Sequence, residues 1–285
     1  MASLIVKRAD FAGACYGVQR ALDMVESASA AEKSVSTLGP LIHNPRVVES
    51  LRRQGVEVAD SLDDIATETI VIRSHGVVPD VIDALERLHI DVIDATCPHV
   101  MRAQRAAARL AKEGYHVLVV GEEGHPEVES ISAHARGVGG VCTIVGDVAD
   151  IPSDLADPVG IVVQTTQSHE KLDRIVAACR ARGFEPLVKD TICFATTQRQ
   201  VAAAELAGQV DVMIVIGGRN SSNTTRLYEI CQHGCESVHH IETVEEIDPQ
   251  WFAGCRIVGV SAGASTPEDQ IESVIAYLEG LDCGD

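Results

Sequence analysis

Two apolar rhythms alternate along this chain. Alanine-rich stretches with apolar residues at helical spacing lead into short unbroken apolar runs that end in glycine. The run Val117-Leu118-Val119-Val120-Gly121 and the run Met213-Ile214-Val215-Ile216-Gly217 lie at an offset of 96 residues, as do Ala106-Ala107-Ala108 and Ala202-Ala203-Ala204. A helix feeding a continuous apolar strand is the pattern of a parallel sheet buried on both faces. The first third of the chain follows the same course at an offset of 82, residues 18–38 standing for helix and strand.

The second halves of the three segments repeat as well. Strands Ile70-Val71-Ile72, Ile161-Val162-Val163 and Ile257-Val258 each run into a loop of small polar residues. Those loops are Ser74-His75-Gly76, Thr165-Thr166-Gln167-Ser168 and Ser261-Ala262-Gly263-Ala264-Ser265. Helices are predicted after them, at about 79–88, 169–182 and 267–281. The first two lead to strands at Val92-Ile93 and Leu187-Val188. The third has no strand after it, and the N-terminal strand at 4–7 is expected to take that place. The expectation is three similar α/β domains in a pseudo-threefold trefoil: 15–96, 97–192, and 193–285 completed by 1–14.

One spacing runs through all three copies. Cys15, Cys97 and Cys193 are each followed after 24 residues by a glycine (Gly39, Gly121, Gly217), and four residues later by His43, His125 or Ser221. The repeat favours a shared role over three unrelated core thiols. Soft thiolates select Zn, Cu(I) or iron–sulfur, and the paired spacing of a closed zinc site is absent. Three dispersed thiols suit a 4Fe–4S cluster with one iron left open to a ligand. The other six cysteines (Cys142, Cys179, Cys231, Cys235, Cys255, Cys283) have no repeat-equivalent positions and receive no role.

His43, His125 and Ser221 fall where a strand gives way to a helix, where free backbone N–H groups attract anions. With His75 on a companion loop, these positions point to a phosphate or diphosphate. Glu127 is a carboxylate beside the candidate anion site, which suits proton donation from a dry cavity as much as it suits an ordinary first-turn acid. Thr165 and Thr166 fit either substrate orientation, proton relay or helix capping.

Composition narrows the partners. The 285 residues carry a net charge of −19, with no basic stripe, so nucleic acid is not expected. No apolar stretch has the length of a membrane span or signal peptide. Nine cysteines without an export signal fit a reducing, cytoplasmic setting.

The chain resembles the 4-hydroxy-3-methylbut-2-enyl diphosphate reductases over essentially its whole length. The resemblance rests on G-A-C-Y-G-V around Cys15, I-H-N-P at 42–45, S-H-G at 74–76 and D-A-T-C-P at 94–98. It continues in G-H-P-E at 124–127, Q-T-T at 164–166, D-T-I-C-x-A-T-T-x-R-Q at 190–200, N-S-S-N at 220–223 and S-A-G-A-S-T-P at 261–267. It implies a 4Fe–4S cluster on Cys15, Cys97 and Cys193, whose open iron takes the allylic hydroxyl of the substrate. Two electrons and two protons then remove that hydroxyl as water, giving isopentenyl and dimethylallyl diphosphates at the end of the methylerythritol phosphate route. It also implies that His43, His75, His125, Ser221, Ser222, Asn223 and Ser265 hold the diphosphate. Glu127 supplies protons, aided by Thr165 and His125, with Thr166 beside them, and the electron donor is a ferredoxin or flavodoxin. An iron–sulfur hydro-lyase and a non-catalytic iron–sulfur protein are the alternatives. Two departures stand out: Ala14 replaces a bulky apolar residue frequent in the family, and the chain stops soon after its last helix.

Overall fold

The structure, a computed structural model, describes residues 4–31 and 34–281. Strand β1 (Ile5–Arg8) comes first. The first repeat then runs α1 (Tyr16–Ala30), β2 (Val35–Leu38), α2 (Pro45–Arg53), β3 (Glu57–Ala59), β4 (Thr69–Ile72), α3 (Pro79–Arg87) and β5 (Asp91–Asp94). The second runs α4 (Pro98–Lys112), β6 (His116–Val120), α5 (Pro126–Arg136), β7 (Cys142–Val145), β8 (Val159–Val163), α6 (His169–Ala181) and β9 (Leu187–Lys189). The third runs α7 (Phe194–Ala207), β10 (Val212–Ile216), α8 (Ser222–Gln232), β11 (Ser237–Ile241), β12 (Ile257–Ala262) and α9 (Glu268–Glu279).

Each repeat builds one four-stranded, fully parallel sheet. The strand orders are β3-β2-β4-β5, β7-β6-β8-β9 and β11-β10-β12-β1. In the third sheet β1 occupies the place that β5 and β9 hold in the others, pairing Ile5 with Ile257 through Arg8 with Val260. The chain divides into two compact units. One comprises Met1–Tyr16, His43–Val47 and Phe194–Asp285 and holds the third sheet; the other comprises Gly17–Ile42 and Val48–Cys193 and holds the first two.

The unbroken apolar strands are explained by burial on both faces. In β6, Leu118 and Val120 pack with Ile175 of α6, while Val117 and Val119 pack with Ala107 and Leu110 of α4 and Ile131 of α5. In β10, Ile214 and Ile216 meet Ile271, Val274 and Leu278 of α9, while Met213 and Val215 meet Ala203, Leu206 and Leu227 from α7 and α8. Alternating side chains of β6 and of β10 thus seal two apolar layers, which is why residues 117–120 of β6 and all of β10 are apolar.

The predicted helices and central strands are present. The strands β3, β7 and β11 were not expected from the sequence pattern. Each is an edge strand with polar or half-exposed members, such as Glu57, Thr143, His239 and His240, so its apolar signal is weak. Cys283 lies outside the described residues, as do positions 1–3 and 282–285 of the expected third domain.

The repeat glycines have a common physical cause. The N–H groups of Gly39, Gly121 and Gly217 donate to Ala59, Val145 and Ile241, the last residues of the three edge strands. A Cβ on Gly121 would stand 2.5 Å from Val128 Cγ2; on Gly217, 2.7 Å from Thr224 Oγ1; on Gly39, 2.6 Å from an Arg73 nitrogen. At Gly121 and Gly217 only glycine lets the surrounding side chains pack this closely, while at Gly39 the left-handed backbone (φ 69°) is what favours glycine. Gly121→Ala should therefore lower stability by about 1–3 kcal/mol, read as a reduced urea midpoint at unchanged m-value.

Candidate active site

Each repeat cysteine sits between a strand end and a helix start. Cys97 caps α4 in an extended conformation ahead of Pro98, while Cys15 and Cys193 immediately precede α1 and α7. Proline at the first helical position loses no bond, because that N–H has no partner in the helix. All three cysteines are half-buried and outside any disulfide. The cysteine N–H in every copy donates to a carbonyl in the polar loop after the neighbouring central strand. These bonds are Cys15 to Ala264 (3.0 Å), Cys97 to Ser74 (2.9 Å) and Cys193 to Thr165 (3.0 Å).

The D-x-x-C frame shared by residues 94–97 and 190–193 has a local explanation. Asp94 Oδ1 accepts from Thr96 N (2.9 Å), and Asp190 Oδ1 accepts from Ile192 N (3.0 Å). A carboxylate bonding the N–H two residues on closes an Asx turn. In both copies the backbone is therefore turned from the strand just before the cysteine. Each of the three is a half-buried thiol whose own N–H is held by a neighbouring loop, and soft thiolates are the ligand type that iron–sulfur clusters use.

In the unit with the first two sheets, the candidate carboxyl is Glu127, in the first turn of α5. It is 1% exposed. Its Oε1 accepts from Thr165 N (2.6 Å) and its Oε2 from Thr165 Oγ1 (3.0 Å). Loss of hydration on burial pushes its pKa up to about 7, against the pull of the two Thr165 hydrogen bonds and with a small upward push from Glu122. His125 caps α5, its Nδ1 accepting from Glu127 N (3.1 Å), and its ring meets that of His75 edge-on at 5.5 Å. The Thr165 loop is braced by Gln164, whose Oε1 accepts from Glu122 N and Gln167 Nε2. Thr166 is half-buried beside Thr165.

In the other unit, Ser221 caps α8 by accepting from Thr224 N, and Ser222 opens that helix. Both ends of the buried Asn223 amide lack a hydrogen-bond partner. A buried amide left without partners is costly unless something supplies them, which makes Asn223 a candidate ligand-binding side chain. Its Nδ2 lies 3.6 Å from where a Cβ on Gly263 would stand, an ordinary contact distance that puts the amide beside the loop carrying Ser265. Ser265 Oγ donates to His43 O (3.1 Å), and Asn44 Nδ2 donates to Ser265 O (2.8 Å). Asn44 Oδ1 in turn receives Arg46 N and Val47 N, capping α2. His43, Ser265 and Asn223 thus belong to one polar assembly with two helix starts.

A sequence model of the LytB protein family matches residues 6–279. The chain belongs to the LytB family. A 4-hydroxy-3-methylbut-2-enyl diphosphate reductase of Citrifermentans bemidjiense is 47% identical over 275 residues, 96% of either chain. A relative with the same activity in its name, from Geobacter sulfurreducens, is 45% identical across 99% of this chain and 98% of its own. A solved structure of (E)-4-hydroxy-3-methyl-but-2-enyl diphosphate reductase, described as the terminal enzyme of the non-mevalonate pathway, is 42% identical. It covers 99% of this chain and 100% of its own with a TM-score of 0.71. The solved E-1-hydroxy-2-methyl-but-2-enyl-4-diphosphate reductase of Plasmodium falciparum is 26% identical, with a TM-score of 0.91 over 99% of this chain and 90% of its own.

The sequence motifs contain the candidate residues of both assemblies. They included Asn44 in I-H-N-P and Gln164 in Q-T-T, but did not reveal the capping role of the first, the bracing role of the second, or the turn-forming roles of Asp94 and Asp190. The aspartates were visible in the D-x-x-C frame; the amides carry no spacing signal of their own. Among the remaining cysteines, Cys179, Cys231, Cys235 and Cys255 are buried, and Cys142 is half-buried with its thiol pKa pushed up by burial.

Glu127 has a calculable effect on folding. Between its unfolded value near 4.5 and about 7, the folded state keeps a proton that the unfolded state releases. Stability therefore falls as pH rises through that window and is flat above it. Glu127→Gln keeps an acceptor for Thr165 N without the titration. The variant should exceed the parent by at most about 3 kcal/mol at pH above 7 and converge on it below pH 4.5, as measured by denaturant unfolding.

Proposed function

We propose that this chain reduces 4-hydroxy-3-methylbut-2-enyl diphosphate to isopentenyl and dimethylallyl diphosphates, with Cys15, Cys97 and Cys193 as ligands of a 4Fe–4S cluster. The observation that carries this reading is a dry, proton-holding Glu127 bonded twice to Thr165, whose carbonyl receives the N–H of a proposed ligand, Cys193. The close relatives named for this activity support it. When bound, the cluster supplies electrons and one iron open to the allylic oxygen. The domains at 15–96, 97–192, and 193–285 with 1–14 are the reading that follows from the repeat.

The side chains divide the remaining work. Glu127 holds a proton near neutral pH because its charged form is poorly hydrated. With that proton on Oε2, Glu127 donates to Thr165 Oγ1, and the Thr165 hydroxyl turns its own hydrogen toward the leaving oxygen. Thr165 N keeps Oε1 in place throughout. Ser221, Ser222, Asn223, Ser265 and His43 bind the diphosphate, together with His75 and His125. Helix N-termini and neutral donors let an anion bind despite the −19 net charge. The electron donor in this reading is a ferredoxin or flavodoxin. No helix among the described residues is long and apolar enough to cross a membrane, and the proposed setting is the cytoplasm.

Anaerobic turnover of the allylic diphosphate with and without an artificial reductant tests the activity. Strict dependence on reductant is expected; dehydration without it would establish a hydro-lyase instead. Cys97→Ser should lose iron, whereas Glu127→Gln should keep iron and lose about 10²–10⁴-fold in turnover. In the parent, turnover should fall as pH rises above about 7, because the donor proton is lost. Asn223→Ala removes no protein hydrogen bond and should leave the thermal midpoint unchanged or raised, while KM rises about 10-fold.

A further inference from the structure

The helices that follow the three cysteines each carry an arginine that reaches back to a carbonyl beside a different cysteine. On α1, after Cys15, Arg20 donates to Thr96 O (3.3 Å) and Asp94 O (3.4 Å), just before Cys97. On α4, after Cys97, Arg102 donates to Ile192 O (3.3 Å), just before Cys193. On α7, after Cys193, Arg199 donates to Gly13 O (2.8 Å), just before Cys15. The order is cyclic along the chain: helix one to loop two, helix two to loop three, helix three to loop one. Arg199 also donates to Ala195 O (3.2 Å) in its own first turn.

We propose that Arg20, Arg102 and Arg199 are positioning residues for the cluster, each fixing the loop that presents one thiolate and placing a permanent positive charge beside it. The proposal rests on Cys15, Cys97 and Cys193 being the ligands. A guanidinium stays charged at any pH the protein survives, and its fork makes directed bonds to carbonyl oxygens. Each accepting carbonyl next to a cysteine lies one or two residues from it, within about 4–8 Å along the chain. Three thiolates on a cluster accumulate negative charge, and reduction adds more. Fixed positive charge close by holds the thiolates and favours the reduced state, most strongly where water is excluded.

The three sites are graded. Arg199 is 3% exposed and makes the shortest bond, whereas Arg20 is half-buried and Arg102 exposed, with longer bonds. Arg199 should therefore matter most.

The test uses the full chain, reconstituted anaerobically with iron and sulfide, as parent, Arg20→Met, Arg102→Met, Arg199→Met and Arg199→Lys. Iron release to a chelator, the cluster's midpoint potential and the thermal midpoint of the iron-free protein are measured. Arg199→Met should release iron about 10- to 100-fold faster than the parent, the scale of lost outer support at metal sites. Arg20→Met and Arg102→Met should do so by smaller factors. All three should shift the potential to more negative values, and Arg199→Lys should recover much of that shift. If Arg199→Met does not fold, the two more accessible arginines carry the test. Release rates and potentials equal to the parent's overturn the proposal, as does a lowered thermal midpoint with unmoved potentials, which marks a purely structural brace. A parent that binds no iron overturns the cluster assignment beneath it.

Discussion

Much in this protein depends on one backbone hydrogen bond made three times, from a cysteine N–H to the carbonyl of a polar loop. In a parallel sheet, neighbouring strands end on the same side, so the loop after a central strand and the loop after its neighbour are adjacent. The bonds of Cys15 to Ala264, Cys97 to Ser74 and Cys193 to Thr165 join those loops in pairs. Each thiol is thereby tied to residues of the proposed substrate site: Ser265 adjoins Ala264, His75 adjoins Ser74, and Thr165 is itself the acceptor. Apolar layers on both faces of the sheets make the strand ends rigid enough for this joint to be definite.

Two kinds of polar environment follow from that framework. Around Glu127 water is excluded and the charged form is penalised, so a carboxyl keeps its proton near neutrality. Around Ser221 and Asn223 the polar groups are neutral and face a helix start, which favours an anion. Neither environment needs net positive charge. A protein with 42 acidic and 23 basic residues still offers an anion binding groups, because short-range dipoles act where the distant surface charge is screened.

The arginines show how positive charge can be supplied locally without a basic surface. Arg20, Arg102 and Arg199 place guanidinium groups on main-chain carbonyls in the cysteine loops. Arg199 falls within the D-T-I-C-x-A-T-T-x-R-Q motif, but nothing there marked Arg20 and Arg102 as its counterparts. The three lie five, five and six residues after their cysteines, and one broken step hides the repeat. Only the cross-loop bonds reveal the cyclic order.

What the chain alone determined was periodic. Apolar runs, alanine-rich helices and the recurrence of cysteine, glycine and His or Ser specified the central strands, the repeat and the place of β1, because double-sided burial leaves a distinct pattern. It also marked Glu127, Thr165 and Asn223 as candidates without saying what each touches. The tertiary structure decided the rest. It placed β3, β7 and β11, whose half-exposed edges carry little pattern, and it made Glu127 dry and Asn223 unpartnered. Burial and hydrogen bonding depend on residues distant in the chain, such as Thr165 for Glu127 and Gly13 for Arg199. A linear pattern records which face is apolar, but a pKa or an unmet amide is set by what folding brings beside it.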